Sequence, residues 1–325
     1  MKNLFRRGAA SVLTAAVLMT VPAMALFGKK TEKTQAQGAP IAQELEIRTY
    51  RNIPYHAQFL AVDNEGDDMT YQVKKQPRRG SVTVEGANFV YTPAKDKTGS
   101  DSFTFVATDS AGHKSSPATV DVTVDKVKSG VSYADMSGSA AAAAAQQLAE
   151  EGIFTGSKIG GQYFFEPERT VSRGEFLAMT MESAGMDASA VTMTGFSDDA
   201  AIPTWAKAYA ASGLSDGVVQ GCSTPDGPAF RASDAVTYNE AAAILNRVLS
   251  VRDVDLDAWY ADRNAAPSWA AQAVGNMESV SVLAAGSFGS SGLDRSVTRA
   301  DAARMLAAAQ TLMAGDQKGV LDWIK

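Results

Sequence analysis

Three short stretches carry the residues with the most chemical reach. They read Ser172-Arg173-Gly174-Glu175, Thr237-Tyr238-Asn239-Glu240 and Thr298-Arg299-Ala300-Asp301. Each sets a hydroxyl three residues before an acid, ahead of an apolar helical pattern. In such a capping box the hydroxyl accepts the N–H at the third helical position and the acid reaches back to the cap N–H. Ser172, Thr237 and Thr298 are therefore expected to cap helices, with Glu175, Glu240 and Asp301 as their reciprocal partners. Arg173 and Arg299 directly follow their caps. A guanidinium offers a planar fork of donors to a carboxylate, and the free N–H groups at a helix start already favour an anion. The pair could hold an acidic ligand; the plainer alternative is two solvated arginines at first helical positions. A second set recurs upstream as Tyr133-Ala134-Asp135, Phe196-Ser197-Asp198 and Tyr260-Ala261-Asp262. Trp205 and Trp269 stand seven residues after the second and third aspartates, where the first copy has Ala142. An indole gives flat apolar area to a sugar face or to a core, and both roles stay open.

Other chemistry is sparse. Cys222 is the sole cysteine, so no internal disulfide forms. His56 and His113 are the only histidines and lie outside these stretches. Nothing has the pattern of a Ser-His-Asp, Cys-His or zinc-hydrolase site, so the chain is not expected to be an enzyme. Glycan hydrolysis needs only two carboxylates and stands as the minor catalytic alternative. A formal charge of -6 gives no reason to expect nucleic acid as partner.

The elements that must position these residues follow from the pattern along 325 residues. Lys2, Arg6 and Arg7, the apolar run Gly8 to Val21 and Ala23-Met24-Ala25 read as a signal peptide over 1–25, so export is expected; an uncleaved anchor is the competing reading, against which the apolar run is short of a full span. No cysteine adjoins the cleavage site for a lipid, and the mature chain has no span long enough to cross a bilayer. Residues 26–40 are polar and read as a flexible linker. Over 41–125 the period becomes two: Val82 and Val84 should face Phe89 and Tyr91 across Glu85-Gly86, and Phe103 and Phe105 alternate, as do Val120, Val122 and Val124. About seven short strands with polar turns between them make a β-sandwich. Asp63, Asp67 and Asp68 offer oxygen ligands that would suit calcium, but Gly66 and Lys74 break the EF-hand spacing. Solvated turn residues are the expected role, and no cofactor is expected.

From Ser132 onward the two sets of stretches form three tandem copies with a period of roughly 60 residues. They span 132–190, 195–255 and 256–315, with a tail over 316–325 in which Leu321 and Trp323 could dock on the helices. Each copy should give two helices, the first ending near Gly152 or Gly213; the Ala140–Ala145 run should lie on the first helix of copy one. A unit of this size buries too little core alone, so the copies should fold as one module.

Two resemblances rest on these residues. Ala61-Val62-Asp63, Pro77-Arg78-Arg79-Gly80, Phe89-Val90-Tyr91-Thr92-Pro93 and Gly99-Ser100-Asp101-Ser102-Phe103-Thr104-Phe105 resemble the cadherin-like, immunoglobulin-like modules of bacterial surface proteins. The aromatic-x-Asp openings, Pro203-Thr204-Trp205-Ala206, Pro267-Ser268-Trp269-Ala270, Gly152-Ile153, Gly213-Leu214, Phe165-Glu166-Pro167 and the Ser/Thr-Arg-x-acid signatures resemble the surface-layer homology (SLH) family. Together they imply a multidomain chain: an all-β immunoglobulin-like sandwich, then an all-α pseudo-threefold bundle of three SLH repeats. By that resemblance, grooves between the repeats would bind cell-wall polysaccharide or peptidoglycan. Arg173 and Arg299 would meet an acidic sugar substituent, Trp205 and Trp269 would line groove walls, and Asp135, Asp198 and Asp262 would orient the openings or accept sugar hydroxyls. Tyr238 stands where copy two should carry arginine, and Ala142 where copy one should carry tryptophan. The expected function is non-covalent anchoring in the envelope, at the surface, in the wall or in the periplasm, displaying the sandwich. The alternative is an adaptor whose repeats contact an envelope protein or a lattice.

Overall fold

The computed structural model describes residues 38–316, apart from 64–66, 261 and 285. The expected signal peptide, most of the linker and the tail with Leu321 and Trp323 lie outside the described residues. The chain divides into two compact units, one running to Lys128 with Gly138–Ala143, the other comprising Ser129–Ser137 and the chain from Ala144.

The first unit is sandwich-like. Its strands are β1 (Ile41–Ala42), β2 (Leu45–Tyr50), β3 (Tyr55–Gln58), β4 (Ala61–Val62), β5 (Thr70–Lys75), β6 (Gly80–Glu85), β7 (Asn88–Pro93), β8 (Gly99–Thr108) and β9 (Ala118–Asp125). A four-stranded sheet runs β2-β9-β8-β5, a three-stranded sheet runs β3-β7-β6, and β1 pairs with β4. β2 lies parallel to β9, while β8 is antiparallel to both β9 and β5. The β6–β7 hairpin sets Val82 opposite Tyr91 and Val84 opposite Phe89. Alternation sends one side chain in two inward, so Phe59, Phe89, Tyr91, Phe103, Phe105, Val120 and Val122 fill a single core. The Phe59 ring stacks on Phe89 at 4.6 Å and on Phe105 at 4.3 Å.

Asp101 ties the β5–β6 turn to this core. Its carboxylate accepts the N–H groups of Arg78 and Arg79, both at 2.8 Å, and of Ser102 at 2.9 Å, with the Tyr91 hydroxyl at 3.0 Å. Burial alone would raise this carboxyl, but the four donors outweigh it and hold the group below its ordinary value. The folded chain therefore binds this proton less readily than the unfolded chain. Its contribution is complete above the ordinary aspartate value of about 3.9 and is lost as pH falls through the depressed folded value. Asp101→Asn should cost about 2 kcal/mol and flatten the acid limb of the stability profile, as denaturant melts at successive pH values would read. An unchanged acid limb would exclude this role.

The second unit is helical. Its elements are α1 (Ala142–Glu150), β10 (Ser157–Ile159), β11 (Gln162–Phe164), α2 (Arg173–Ser183), α3 (Thr204–Ser215), β12 (Cys222–Thr224), β13 (Gly227–Ala229), α4 (Tyr238–Leu249), α5 (Leu256–Trp259), α6 (Ala271–Ser279) and α7 (Arg299–Asp316). Three details differ from the sequence reading. Two short hairpins, β10–β11 and β12–β13, interrupt the helices, so the unit is not purely helical in detail. α1 begins two residues into the alanine run, and α3 continues through Gly213 to Ser215. Gly213 lies within this helix, where Leu177 and Val219 approach so closely that a Cβ would meet them at 3.2–3.3 Å.

Three backbone segments join the copies in a circuit. Val171 N–H donates to Val297 O at 2.9 Å, Val297 N–H to Val236 O at 2.8 Å, and Val236 N–H to Val171 O at 3.0 Å. All three valines are buried. Two residues further on, a second ring of bonds runs in the opposite sense: Arg173 N–H reaches Asp234 O at 2.8 Å, Tyr238 N–H reaches Arg295 O at 3.3 Å, and Arg299 N–H reaches Arg169 O at 2.8 Å. The starts of α2, α4 and α7 are thus fixed by one another.

Candidate functional site

Around this circuit the capping residues form their boxes. Ser172 accepts from Glu175 N–H and Glu175 accepts from Ser172 N–H; Thr237 and Glu240 do the same. Thr298 Oγ1 accepts Asp301 N–H at 3.2 Å, and Asp301 accepts Thr298 N–H at 3.1 Å. The acids also hold groups from the neighbouring copy. Arg173 Nη2 donates to Glu240 Oε1 at 2.7 Å. Tyr238 is held by Arg295, whose Nη2 donates to its hydroxyl at 2.6 Å, while Arg295 Nη1 lies 3.3 Å from Asp301 Oδ2. Arg299 Nη1 donates to Glu166 Oε2 at 2.6 Å and to Phe165 O at 2.9 Å.

These bonds redirect the arginines. Side-chain exposure is 12% at Arg173 and 7% at Arg299, so neither is a solvated first-turn residue. Both are clasps between copies, and their charge is already matched inside the protein. Burial, then the nearby Arg169, push the Arg299 guanidinium below its ordinary value, against the pull of Glu166 and Glu175. Asp301 is raised by burial, yet the donors Tyr238 and Thr298 leave it below the ordinary carboxylate range.

The aspartates are likewise occupied. Asp135 accepts Phe165 N–H at 2.9 Å and Glu166 N–H at 2.7 Å, one on each oxygen. Asp198 accepts Phe230 N–H and Arg231 N–H, both at 2.8 Å. Glu166 and Arg231 have φ of 57° and 61°, the left-handed turn that points consecutive N–H groups at one anion. Each aspartate thereby seats a fully buried phenylalanine, Phe165 or Phe230. An amide side chain would keep one acceptor and turn an NH₂ toward the second donor. Asp198→Asn should therefore cost about 2 kcal/mol in a denaturant melt of the helical unit; an unchanged midpoint would rule the clamp out. In copy three Asp262 accepts, among the described residues, the nearby Asn264 N–H at 2.9 Å. Glu278 holds that copy's loop instead, taking Gly286 N–H at 2.7 Å and Phe288 N–H at 2.8 Å. Burial raises the Glu278 carboxyl, and these two N–H groups only partly offset it. The sequence carried no periodic or motif signal for Glu278.

The tryptophans are the residues left facing out. Trp205 is 52% and Trp269 60% exposed, which excludes a core role. Trp205 walls a cleft of about 380 Å³ with Ile153, Phe154, Glu175, Glu182, Tyr209 and Arg299, a size in the range of small-ligand sites. The turn with Ile153 and Phe154 comes from copy one, as does the α2 face. Trp205 and Tyr209 come from copy two, and Arg299 closes the floor from copy three. Arg299 stands over the Phe154 ring, 4.8 Å from its centre. Tyr209 donates its hydroxyl to Glu182 at 2.6 Å. Such a cleft offers a flat indole for an apolar ring face, two carboxylates for hydroxyl donors and a guanidinium edge for an acceptor.

Asp63 accepts Asp67 N–H at 3.4 Å, and no group of three or more metal-ligating acids, histidines or cysteines occurs among the described residues. Nor is any described helix long and apolar enough to cross a membrane.

Residues 37–123 match the family model described as a bacterial Ig domain. No curated protein matches the chain. Among solved structures, an endo-fucoidan hydrolase from glycoside hydrolase family 107 is 21% identical, over 30% of this chain and 15% of that one, with a TM-score of 0.24. The Clostridium thermocellum CbhA fibronectin(III)-like modules are 15% identical, over 27% and 47%, with a TM-score of 0.21. The sialic acid binding region of a Streptococcus sanguinis SK1 adhesin is 13% identical, over 29% and 31%, with a TM-score of 0.20. The chain thus spans about 15% of the length of the first of these structures.

Proposed function

We propose that the helical unit grips an envelope glycan and so anchors the exported chain, displaying its immunoglobulin-like unit. The observation that carries this reading is Trp205, a half-exposed indole over a cleft built from three copies. In a chain of ordinary composition a large exposed aromatic beside a lined cleft marks a contact surface. Trp269 repeats the feature one copy later, with 60% exposure. The valine circuit and the neighbour-to-neighbour clasps support a reading of the unit as three equivalent SLH repeats. No catalytic step is proposed: the carboxylates of the cleft serve caps, a tyrosine hydroxyl and arginines.

The arginines take a different place from the one that the family resemblance implies. With Arg173 and Arg299 matched to Glu240 and Glu166, stacking on the indoles and hydrogen bonds from sugar hydroxyls supply most of the grip. The test is co-sedimentation of the purified chain with cell-wall sacculi, intact or stripped of secondary polymer. Retention on intact sacculi is expected. A chain that stays in the supernatant with both would overturn the reading and favour the adaptor alternative. That second reading has one observation of its own, the exposed apolar side chains Ile159 and Met193 at 62% and 72%.

A further inference from the structure

We propose that one end of the immunoglobulin-like unit binds a linear polyanion of the envelope, a polymer with an anionic group in each repeat, along a row of cations. The contact lies outside the helical unit and does not depend on the glycan grip assigned there.

Three turns meet at that end: residues 51–54 between β2 and β3, 76–79 between β5 and β6, and 94–98 between β7 and β8. Pairing of Tyr55 with Tyr91 and of Gly80 with Pro93 puts them at the same end of one sheet. Hydrogen bonds lock them side by side. Asn52 Nδ2 donates to Asp96 Oδ1 at 3.0 Å, and Asp96 N–H returns to Asn52 Oδ1 at 2.7 Å. Ala94 N–H donates to Arg79 O at 2.7 Å, and Arg79 Nη1 to Thr98 O at 2.8 Å. The sheet order is β3-β7-β6, so the turns follow in the same order, one strand step of about 4.8 Å apart. Arg51, then Lys95 and Lys97, then Arg78 and Arg79 therefore form a row about 10 Å long at the backbone.

The three turns hold five cations and one acid, Asp96. All five cations are exposed, and among the described residues none of them forms an ion pair. Arg48, by contrast, is paired with Asp125 at 3.4 Å. The Asp101 carboxylate already accepts four hydrogen bonds. In a chain with a formal charge of -6 this concentration of positive charge is local, and the other end of the unit carries Asp67, Asp68 and Glu85 instead. Like charges held side by side repel. A polyanion laid across them relieves that repulsion and releases its own counter-ions. The three turns hold no aromatic side chain, so a nucleic acid would find nothing on which to stack a base. Ile41 and Val84, the unit's exposed large apolar side chains among the described residues, lie toward the other end. Nothing at the row is therefore suited to enter a lipid surface.

The experiment titrates the full chain with poly(glycerol phosphate) and with neutral polyglycerol in a calorimeter, at low and at physiological salt. The charged polymer should bind, and more weakly as salt rises. Arg51→Gln, Arg78→Gln, Lys95→Gln and Lys97→Gln together should weaken it at least about tenfold, as four exposed charge contacts of roughly two- to threefold each allow. Arg79 is left in place because its side chain holds Thr98. Lys95→Arg with Lys97→Arg should keep the affinity. If the quadruple variant does not fold, Lys95→Gln with Lys97→Gln should still lose about fourfold. Equal binding of polyglycerol, binding that salt does not weaken, or an unchanged affinity in the glutamine variants would overturn the proposal. Binding to phosphatidylglycerol vesicles in place of the polymer would overturn it in favour of a lipid surface. Absence of polymer binding with sacculus retention intact would overturn this proposal alone. Absence of retention with polymer binding intact would overturn the anchoring reading alone.

Discussion

Arg299→Ala should lower the unfolding free energy of the helical unit by about 3 kcal/mol. The side chain is 7% exposed and donates at once to Glu166 Oε2 and Phe165 O, while its face covers the Phe154 ring. Truncation strands a backbone acceptor and a carboxylate and opens space beside an aromatic ring. Breaking a buried pair costs about 3–5 kcal/mol; Glu166, with 38% of its side chain exposed, rehydrates in part, which places the loss at the lower end. Urea unfolding of the whole chain, followed by far-ultraviolet circular dichroism, reads mainly the helices. A double-mutant cycle with Glu166→Gln should return a coupling above about 1 kcal/mol. A loss within about 0.5 kcal/mol, as for an ordinary surface substitution, would mean that the clasp is not formed in solution.

The opposite profile is expected of Trp205→Ala with Trp269→Ala. Both rings are more than half exposed, so their removal should move stability by no more than about 0.5 kcal/mol each. A centrally placed tryptophan in a contact surface typically contributes about 2 kcal/mol or more, roughly thirtyfold in affinity. Retention of the double variant on sacculi should therefore fall by at least about thirtyfold. The single variants should each retain partial binding. Retention unchanged in the double variant would remove the two indoles as the site of grip.

What the sequence made legible was local. A capping box is written within four residues, and all three formed, at Ser172, Thr237 and Thr298. The sandwich register was legible because alternation and the Glu85-Gly86 turn fix it together, as Val82 opposite Tyr91 records. The hairpin β10–β11 also had a local signal, the Gly160-Gly161 pair at its tip, whose φ values of 59° and 86° suit a tight turn. Three-residue strands are too short for alternation to register, so the pair reads as a loop. The roles of Arg173 and Arg299 were not legible. Their partners, Glu240 and Glu166, lie a whole copy or more away, and only closure of the circuit brings them together. For the tryptophans the difficulty was chemical: an indole suits a core or a surface equally, and its position at a helix start does not separate the two.

The valine circuit limits how such a chain can change its copy number. In an open stack each unit touches only its neighbours, so units can be gained or lost one at a time. Here the third copy returns its peptide to the first through Val171 and Val297. A protein with two copies would leave a donor and an acceptor facing each other across a gap, and a fourth copy would have to be threaded into a loop already shut. Tandem duplication, which lengthens many surface proteins, should therefore act on this architecture only in whole sets of three.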